Sequence, residues 1–108
     1  MTSQASQGLL VSNHSYGTDY DAAGFKNNPG VFGRYIQDAR DLDLLLFTAD
    51  NYLPVIAAGN ARGDGYNTAK VGADLMHGDA VSKNAVVVAA IEGITDYAQP
   101  SDAVMSSF

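Results

Sequence analysis

The sequence contains no cysteine among its 108 residues. It therefore has no disulfide framework, no zinc-thiolate site and no cysteine nucleophile. Basic residues are also few, because six Lys and Arg stand against twelve acidic residues and the formal net charge is −6. A chain without a basic cluster is poorly suited to bind nucleic acid or an anionic lipid surface, so we expect neither as a partner.

Long hydrophobic runs are absent as well. No run approaches the roughly 20 apolar residues that a membrane-spanning helix needs, so no membrane span is expected. Residues 1–8 are small and polar and have neither the basic flank nor the apolar stretch of a signal peptide, and we expect a loose lead-in there. The apolar fraction of 46% is nonetheless ordinary for a folded protein, and the length allows one domain or part of one.

The apolar pattern predicts three strands and one helix. Residues 9–15 begin with the apolar run Leu9-Leu10-Val11 and have the length of a strand. Residues 53–58 and 85–91 are continuous apolar runs of strand length, as in strands buried on both faces. Residues 33–51 repeat apolar side chains at steps of three and four, which predicts an amphipathic helix. Residues 103–108 are expected to begin a fourth strand. The regions between are rich in Gly, Asp and Asn, which is typical of loops.

This order of elements predicts an α/β fold with a mostly parallel sheet and flanking helices. Residues 9–58 then form one strand–helix–strand crossover of right-handed sense. Ligands of such sheets bind beyond the carboxyl ends of the strands. Residues 15–17 follow the first predicted strand and residues 57–60 end the second, so these two polar segments face one crevice if the strands are neighbours.

The tetrapeptide Ala57-Ala58-Gly59-Asn60 is the segment with the clearest chemical meaning. Two small residues let another chain approach the backbone closely, and Gly59 permits a turn that a Cβ would block. The carboxamide of Asn60 is a neutral hydrogen-bond donor at a strand end, which suits a developing oxyanion. An alternative interpretation without catalysis is an ordinary turn at the strand end, in which the Asn60 side chain hydrogen-bonds to the backbone of the turn.

Other polar residues are weaker candidates. His14 and Ser15 are neighbours on a strand and point to opposite faces, so we expect a buried polar histidine rather than a nucleophile with its base. His77 stands alone in a loop and fits a structural or exposed role. Asp38, Asp41 and Asp43 lack the spacing of a calcium-binding loop. Asp38 and Asp41 lie three residues apart on the predicted helix, which fits its solvated face. No metal site is predicted.

Four segments, taken in order, resemble the subtilisin-like serine peptidases, the subtilases. Residues 12–17 resemble the family's strand that ends in Ser-x-Gly, and residues 53–60 resemble its strand that ends in Ala-Gly-Asn. Residues 83–90 are similar to the Lys-Asn segment that enters the next core strand. Residues 105–108 resemble the Ser-Phe that precedes a Ser-Ser-x-Gly-Pro run. The match covers about residues 9–108, and the predicted helix falls where the family has one.

The resemblance implies the middle segment of a three-layer, subtilisin-like catalytic domain that hydrolyses peptide bonds. It implies that Asn60 is the side-chain donor of the oxyanion hole. It also implies that an extended polypeptide substrate contacts Ser15, Tyr16, Gly17, Ala57, Ala58 and Gly59. The family's Asp-Thr/Ser-Gly, His-Gly-Thr and Gly-Thr-Ser-Met-Ala motifs, which carry the catalytic triad, do not occur in this sequence. Since the triad acts as a unit, we expect these residues to be inert without the remainder of the peptidase domain, their expected partner.

The resemblance further implies a secreted or cell-surface protein without a cofactor, although structural calcium is common in the family. Two alternatives remain open. One is a small α/β binding module that uses the same crevice for a small ligand. The other is a pseudo-enzyme or interaction domain that keeps the scaffold without peptidase chemistry.

Overall fold

The computed structural model describes the backbone of residues 1–108 and every side chain except that of Thr2. Three short strands form one parallel sheet in the order β1, β2, β3. Strand β1 spans Val11–His14, β2 spans Leu53–Ala57 and β3 spans Val86–Val88. The α/β class and the parallel sheet are therefore confirmed, and each strand is shorter than the apolar run that predicted it.

Helix α1 spans Thr2–Ser6 and helix α2 spans Gln37–Thr48. Short 3₁₀ turns occur in the loops at Phe25–Asn27, Pro29–Val31, Thr68–Lys70, Gly78–Val81 and Pro100–Asp102. Across the described residues, no helix has both the length and the apolar character that crossing a membrane requires.

The core lies on one face of the sheet. Leu42 and Leu46 of α2 pack on Ile56 of β2, and Tyr52 and Ala80 complete the buried cluster. This grouping follows from the sequence, because the helical stripe has a period of 3.6 residues and alternate strand residues share a face. Burying a Leu or Ile side chain contributes about 1.5–3 kcal/mol, so this cluster anchors α2 on the sheet.

The face of the sheet opposite α2 is exposed. Val11, Leu53, Val86 and Val88 lie on this face, and their side chains are 40–58% exposed. The prediction that the second and third strands are covered on both faces is therefore wrong for the chain as described. These apolar runs have the composition of strands that are buried on both faces. In this structure α2 covers one face of the sheet, and the other face remains exposed.

The N-terminal residues differ from the expected loose lead-in. Residues 1–8 include helix α1, and Met1 and Ala5 pack against the buried cluster. Three of the five helical residues are Ser or Thr, which are weak helix formers, so packing on the core stabilises a helix too short to form alone.

Helix α2 begins at Gln37 rather than near residue 33. Gly33 has φ +73°, and Ile36 is extended with φ −94° and ψ −178°. These backbone conformations interrupt the apolar pattern that predicted a longer helix.

Residues 103–108 do not form a fourth parallel strand. Instead, Met105 and Ile91 form an isolated antiparallel bridge. The turn at Pro100–Asp102 reverses the chain, because the Asp102 carboxylate accepts the backbone N–H groups of Ala98 and Gln99. The reversed chain returns alongside the residues that follow β3, so its direction is antiparallel.

Candidate functional site

The carboxyl ends of β1 and β2 open into a cleft of about 760 Å³. Both polar segments singled out from the sequence line it: the β1 end segment (residues 15–17) and the β2 end segment (residues 57–60). They meet because β1 and β2 are adjacent and parallel, with His14 paired to Ile56 near the ends of both strands. The prediction that these two segments face one crevice is confirmed.

The β2 end segment separates this cleft from a second one. The smaller cleft, of about 220 Å³, is also lined by residues 57–60, together with Asn13, Val88 and Phe108. Gly59 turns the chain at this point with φ +113°, a conformation that L side chains rarely adopt. A ligand in either cleft would therefore meet the same short stretch of backbone.

Asn60 is exposed at the end of this turn. Its carboxamide makes no hydrogen bond to any described residue, so it does not cap the turn as an ordinary strand-end Asn would. The backbone of Ala58 is held instead by its own N–H, which donates to the carbonyl of Val88 at 2.9 Å. The Asn60 amide is consequently left available for a ligand.

The β1 end segment is exposed throughout and continues an edge strand. Because β1 pairs only with β2, the outer edge of its backbone has no partner strand within the described sheet. Such an edge can accept another extended chain by main-chain hydrogen bonding.

His14 is a buried polar histidine, as its position predicted. It is 9% exposed, and its Nδ1 lies 2.6 Å from the Tyr16 hydroxyl. Its Nε2 lies 2.5 Å from the hydroxyl of Ser12. The side chain of Ser15 contacts Asn13 instead, with the Asn13 amide donating to Ser15 Oγ at 3.1 Å. The structure therefore brings together no His14–Ser15 pair.

An aromatic cluster, which the sequence pattern did not predict, builds the far wall of the cleft. Tyr20 lies at its centre, with ring centroids 5.1 Å from Phe32, 5.4 Å from Tyr66 and 5.6 Å from Phe25. The ring of His77 packs on Phe25 at 4.7 Å, which gives this histidine the structural role expected of it. The cluster joins two loops that are far apart in sequence, so no regular spacing could have indicated it.

The cleft is strongly acidic. Five aspartates line it and no Lys or Arg does: Asp19, Asp21, Asp38, Asp64 and Asp79. Within the described side chains the one salt bridge joins Lys70 to Asp74, so none of these five carboxylates is ion-paired. The cleft therefore disfavours anionic ligands.

Tyr66 and Asp79, which line the cleft, have raised pKa values. The Tyr66 hydroxyl donates to Asp21 at 2.5 Å, and this bond, with burial and the nearby charges of Asp64 and Asp19, raises the pKa of Tyr66 to about 12. Burial, followed by the charge of Asp38, raises the pKa of Asp79. The hydrogen bond to Asp21 is the main cause at Tyr66 and burial is the main cause at Asp79, and the neighbouring carboxylates add to both shifts.

These carboxylates are not arranged as a metal centre. Among the side chains that the structure describes, no group of three or more His, Asp or Glu is placed to hold an ion. The cleft residues offer hydrogen-bonding groups and negative charge, and they contain no paired nucleophile and base.

Asp43 is an acidic residue whose burial was not predicted from the sequence. It accepts the Tyr35 hydroxyl at 2.8 Å and the backbone N–H groups of Lys83 and Asn84 at 2.8–3.0 Å. Its place on the core side was readable, since it lies four residues after Ala39 on the buried stripe of α2. Asp43 therefore connects this helix to the residues that enter β3.

Comparison of the chain with protein-family models, with curated proteins and with solved structures gave no match. A proposal of function therefore rests on the geometry of the cleft and on the motifs of the sequence.

Proposed function

We propose that this chain is a segment of a subtilisin-like serine endopeptidase, which carries the substrate-binding strand and the oxyanion-hole Asn but no triad residue. One observation carries the proposal. The β1 end segment and the β2 end segment, which resemble two separate subtilase strand ends, follow neighbouring parallel strands and line one cleft. The proposal requires this arrangement, because one substrate must contact both segments.

In this proposal the substrate is an extended polypeptide that adds to the free edge of β1. Ser15, Tyr16 and Gly17 offer backbone groups to it, as in other cases of strand addition. The small side chains of Ala57 and Ala58 let a substrate side chain lie close to the wall of the cleft. Both residues are half-buried, so the backbone near them is accessible from the cleft.

Asn60 would donate its carboxamide N–H to the oxyanion that forms when a peptide carbonyl is attacked. Two features support this role. The amide is not used in the fold, and it projects from a turn whose backbone is fixed by Gly59. A preorganised neutral donor stabilises the charged intermediate more than the neutral carbonyl, which is what accelerates the reaction.

The remainder of a peptidase domain would supply the triad and the third layer of the fold. The exposed face that contains Val11, Leu53, Val86 and Val88 is apolar enough to pack against further helices. Secretion and bound structural calcium belong to the same proposal through the resemblance.

A small α/β binding or pseudo-enzyme module is the second candidate. The volume of the main cleft lies in the range of ligand pockets, roughly 300–1,000 Å³, and the cleft exists without any triad residue. In this reading the unpaired carboxylates favour a cationic ligand.

The deciding experiment compares the full-length gene product that carries this sequence with purified residues 1–108. We expect the full-length protein to hydrolyse a fluorogenic peptide library and to be labelled by a fluorophosphonate, whereas residues 1–108 do neither. A full-length product that binds peptides without hydrolysis or labelling would favour the second candidate. Hydrolysis by residues 1–108 alone would contradict the expectation that the catalytic triad lies outside these residues.

A further inference from the structure

His14 links the packed interior of the protein to the wall of the cleft. On the interior side its Nε2 contacts Ser12 Oγ at 2.5 Å, and Ser12 Oγ contacts the Tyr52 hydroxyl at 2.6 Å. Tyr52 belongs to the buried cluster that includes Leu46. On the other side, Nδ1 of His14 contacts the hydroxyl of Tyr16 at 2.6 Å.

Tyr16 is an exposed residue whose side chain is nevertheless held in place. It is 66% exposed and lines the cleft within the β1 end segment. Its ring stands edge-on to His14 with centroids 5.4 Å apart and an interplanar angle of 82°. An exposed side chain normally samples several rotamers, so the hydrogen bond and the ring contact to a buried partner restrict it.

The chemistry of the imidazole suits this linking position. A neutral imidazole donates at one nitrogen and accepts at the other, and hydroxyl groups can do either. The hydroxyls of Ser12 and Tyr16 therefore satisfy both nitrogens in either tautomer. Because both nitrogens are occupied and the ring is buried, His14 does not itself face a ligand in the cleft.

We propose that His14 is a positioning residue that acts through Tyr16. It fixes the Tyr16 ring as a wall of the cleft, and with it the backbone of residues 15–17 that receives the extended peptide. A wall that is ordered before binding lowers the conformational entropy lost on binding. This inference rests on the proposed peptidase function of the same cleft.

The test uses four variants of the full-length gene product: His14→Gln, His14→Asn, Tyr16→Phe and the double variant His14→Gln with Tyr16→Phe. A Gln amide reaches the position of Nε2 and leaves Tyr16 unbonded, whereas an Asn amide reaches the position of Nδ1. We expect His14→Gln and Tyr16→Phe each to raise KM by roughly 2- to 10-fold with kcat nearly unchanged, the range for one hydrogen bond. Tyr97→Phe, an exposed tyrosine outside the cleft, is the matched control.

Two results separate positioning from a purely structural role. The double variant is expected to show the KM of His14→Gln alone, because both changes remove the same contact. His14→Asn is expected to restore the parent KM. Additive effects in the double variant, or equal losses from His14→Gln and His14→Asn, would overturn the proposal. If His14→Gln does not fold, the KM of Tyr16→Phe is the test, because this substitution alters only an exposed hydroxyl. A raised KM supports the proposal, and a parent-like KM overturns it.

A second readout keeps this proposal distinct from the peptidase proposal. In ¹H–¹⁵N spectra, His14→Gln is expected to shift or broaden the amide signals of Tyr16 and Gly17 more than His14→Asn does, because only His14→Asn keeps the contact to Tyr16. This difference in a full-length product without peptidase activity would refute the proposed function and still support the positioning. Equal amide signals in the two variants would refute the positioning, whatever the activity.

Discussion

The carboxylate of Asp43 accepts the backbone N–H of Lys83 with its two oxygens at 2.9 and 3.0 Å. Asp43 lies on α2 and Lys83 lies just before β3, so this contact holds the helix to the sheet. Burial alone would raise the pKa of Asp43. The hydrogen bonds from Tyr35, Lys83 and Asn84 more than offset the burial and bring the pKa below its ordinary value.

Asp43→Asn should destabilise the protein by about 2–3 kcal/mol, because hydrogen bonds to a buried charged acceptor are among the stronger ones. Urea unfolding followed by circular dichroism measures the loss. Asp41→Asn is the control, since Asp41 is exposed on the same helix and accepts only the side chain of Gln37. Equal stability of the Asp43 and Asp41 variants would show that the Asp43 contacts contribute nothing.

The stabilisation by Asp43 should depend on pH in a defined direction. A carboxyl whose folded-state pKa is lowered stabilises the fold above its unfolded-state pKa, here 3.8. That contribution is lost as the pH falls through the lower, folded-state value. The difference in unfolding free energy between the parent and Asp43→Asn should therefore be constant from about pH 7 to about pH 5 and shrink below about pH 4. A difference that persists unchanged to about pH 2 would contradict this assignment.

Gly59→Ala should be more harmful than Gly17→Ala. Gly59 has φ +113°, where any L side chain is strained, although the added Cβ would lie 3.7 Å from the Tyr20 hydroxyl, an ordinary contact. Gly17 lies outside this backbone region, and an added Cβ there meets nothing within 4 Å. We expect a cost of about 1–3 kcal/mol at Gly59 and almost none at Gly17, measured by thermal or urea unfolding. Equal losses of stability in the two variants would show that the turn at Gly59 adjusts its backbone to accept a side chain.

On the proposed peptidase function, Asn60→Ala should abolish most turnover of the full-length gene product while leaving its folding intact. We expect kcat to fall by about 10²–10³, a magnitude taken from the removal of one such donor in a subtilisin. KM should change little, because the donor acts on the transition state. The side chain is exposed and makes no hydrogen bond within the described chain, so the unfolding midpoint should not move. An unchanged kcat would show that Asn60 is not a hydrogen-bond donor of the oxyanion hole.

The unpaired aspartates should make peptide binding sensitive to charge. A peptide that contains a Lys should bind the full-length product more tightly than the same peptide with a Glu in its place. Raising the salt concentration from about 0.05 M to about 0.5 M should reduce this difference in affinity, because salt screens the charges. Asp64→Asn should weaken the Lys peptide by about two- to fivefold, as for one exposed ion pair. Asp50→Asn is the control, because Asp50 is exposed and does not line the cleft. Equal binding of the two peptides at low salt would contradict this electrostatic picture.

Local patterns account for much of the fold. The apolar run at Leu53 predicts β2 to within one residue, and the stripe through Leu42 and Leu46 predicts the core face of α2. The strand-end position of Asn60 follows from the same runs. The ends of elements were less predictable, because the start of α2 depends on the backbone at Gly33 and Ile36. Met105 was expected in a strand of the sheet and instead bridges to Ile91 after the turn at Pro100.

The sequence by itself determined which residues alternate, which stripe is apolar and where the polar strand ends lie, because these depend on local periodicity. Only the tertiary structure decided that the segments ending in Gly17 and Asn60 share one cleft, since that depends on which strands pair. It also decided that Asp43 accepts the backbone N–H of Lys83, which lies 40 residues further along the chain. Such contacts carry no local signature, because they are selected by the packing of whole elements.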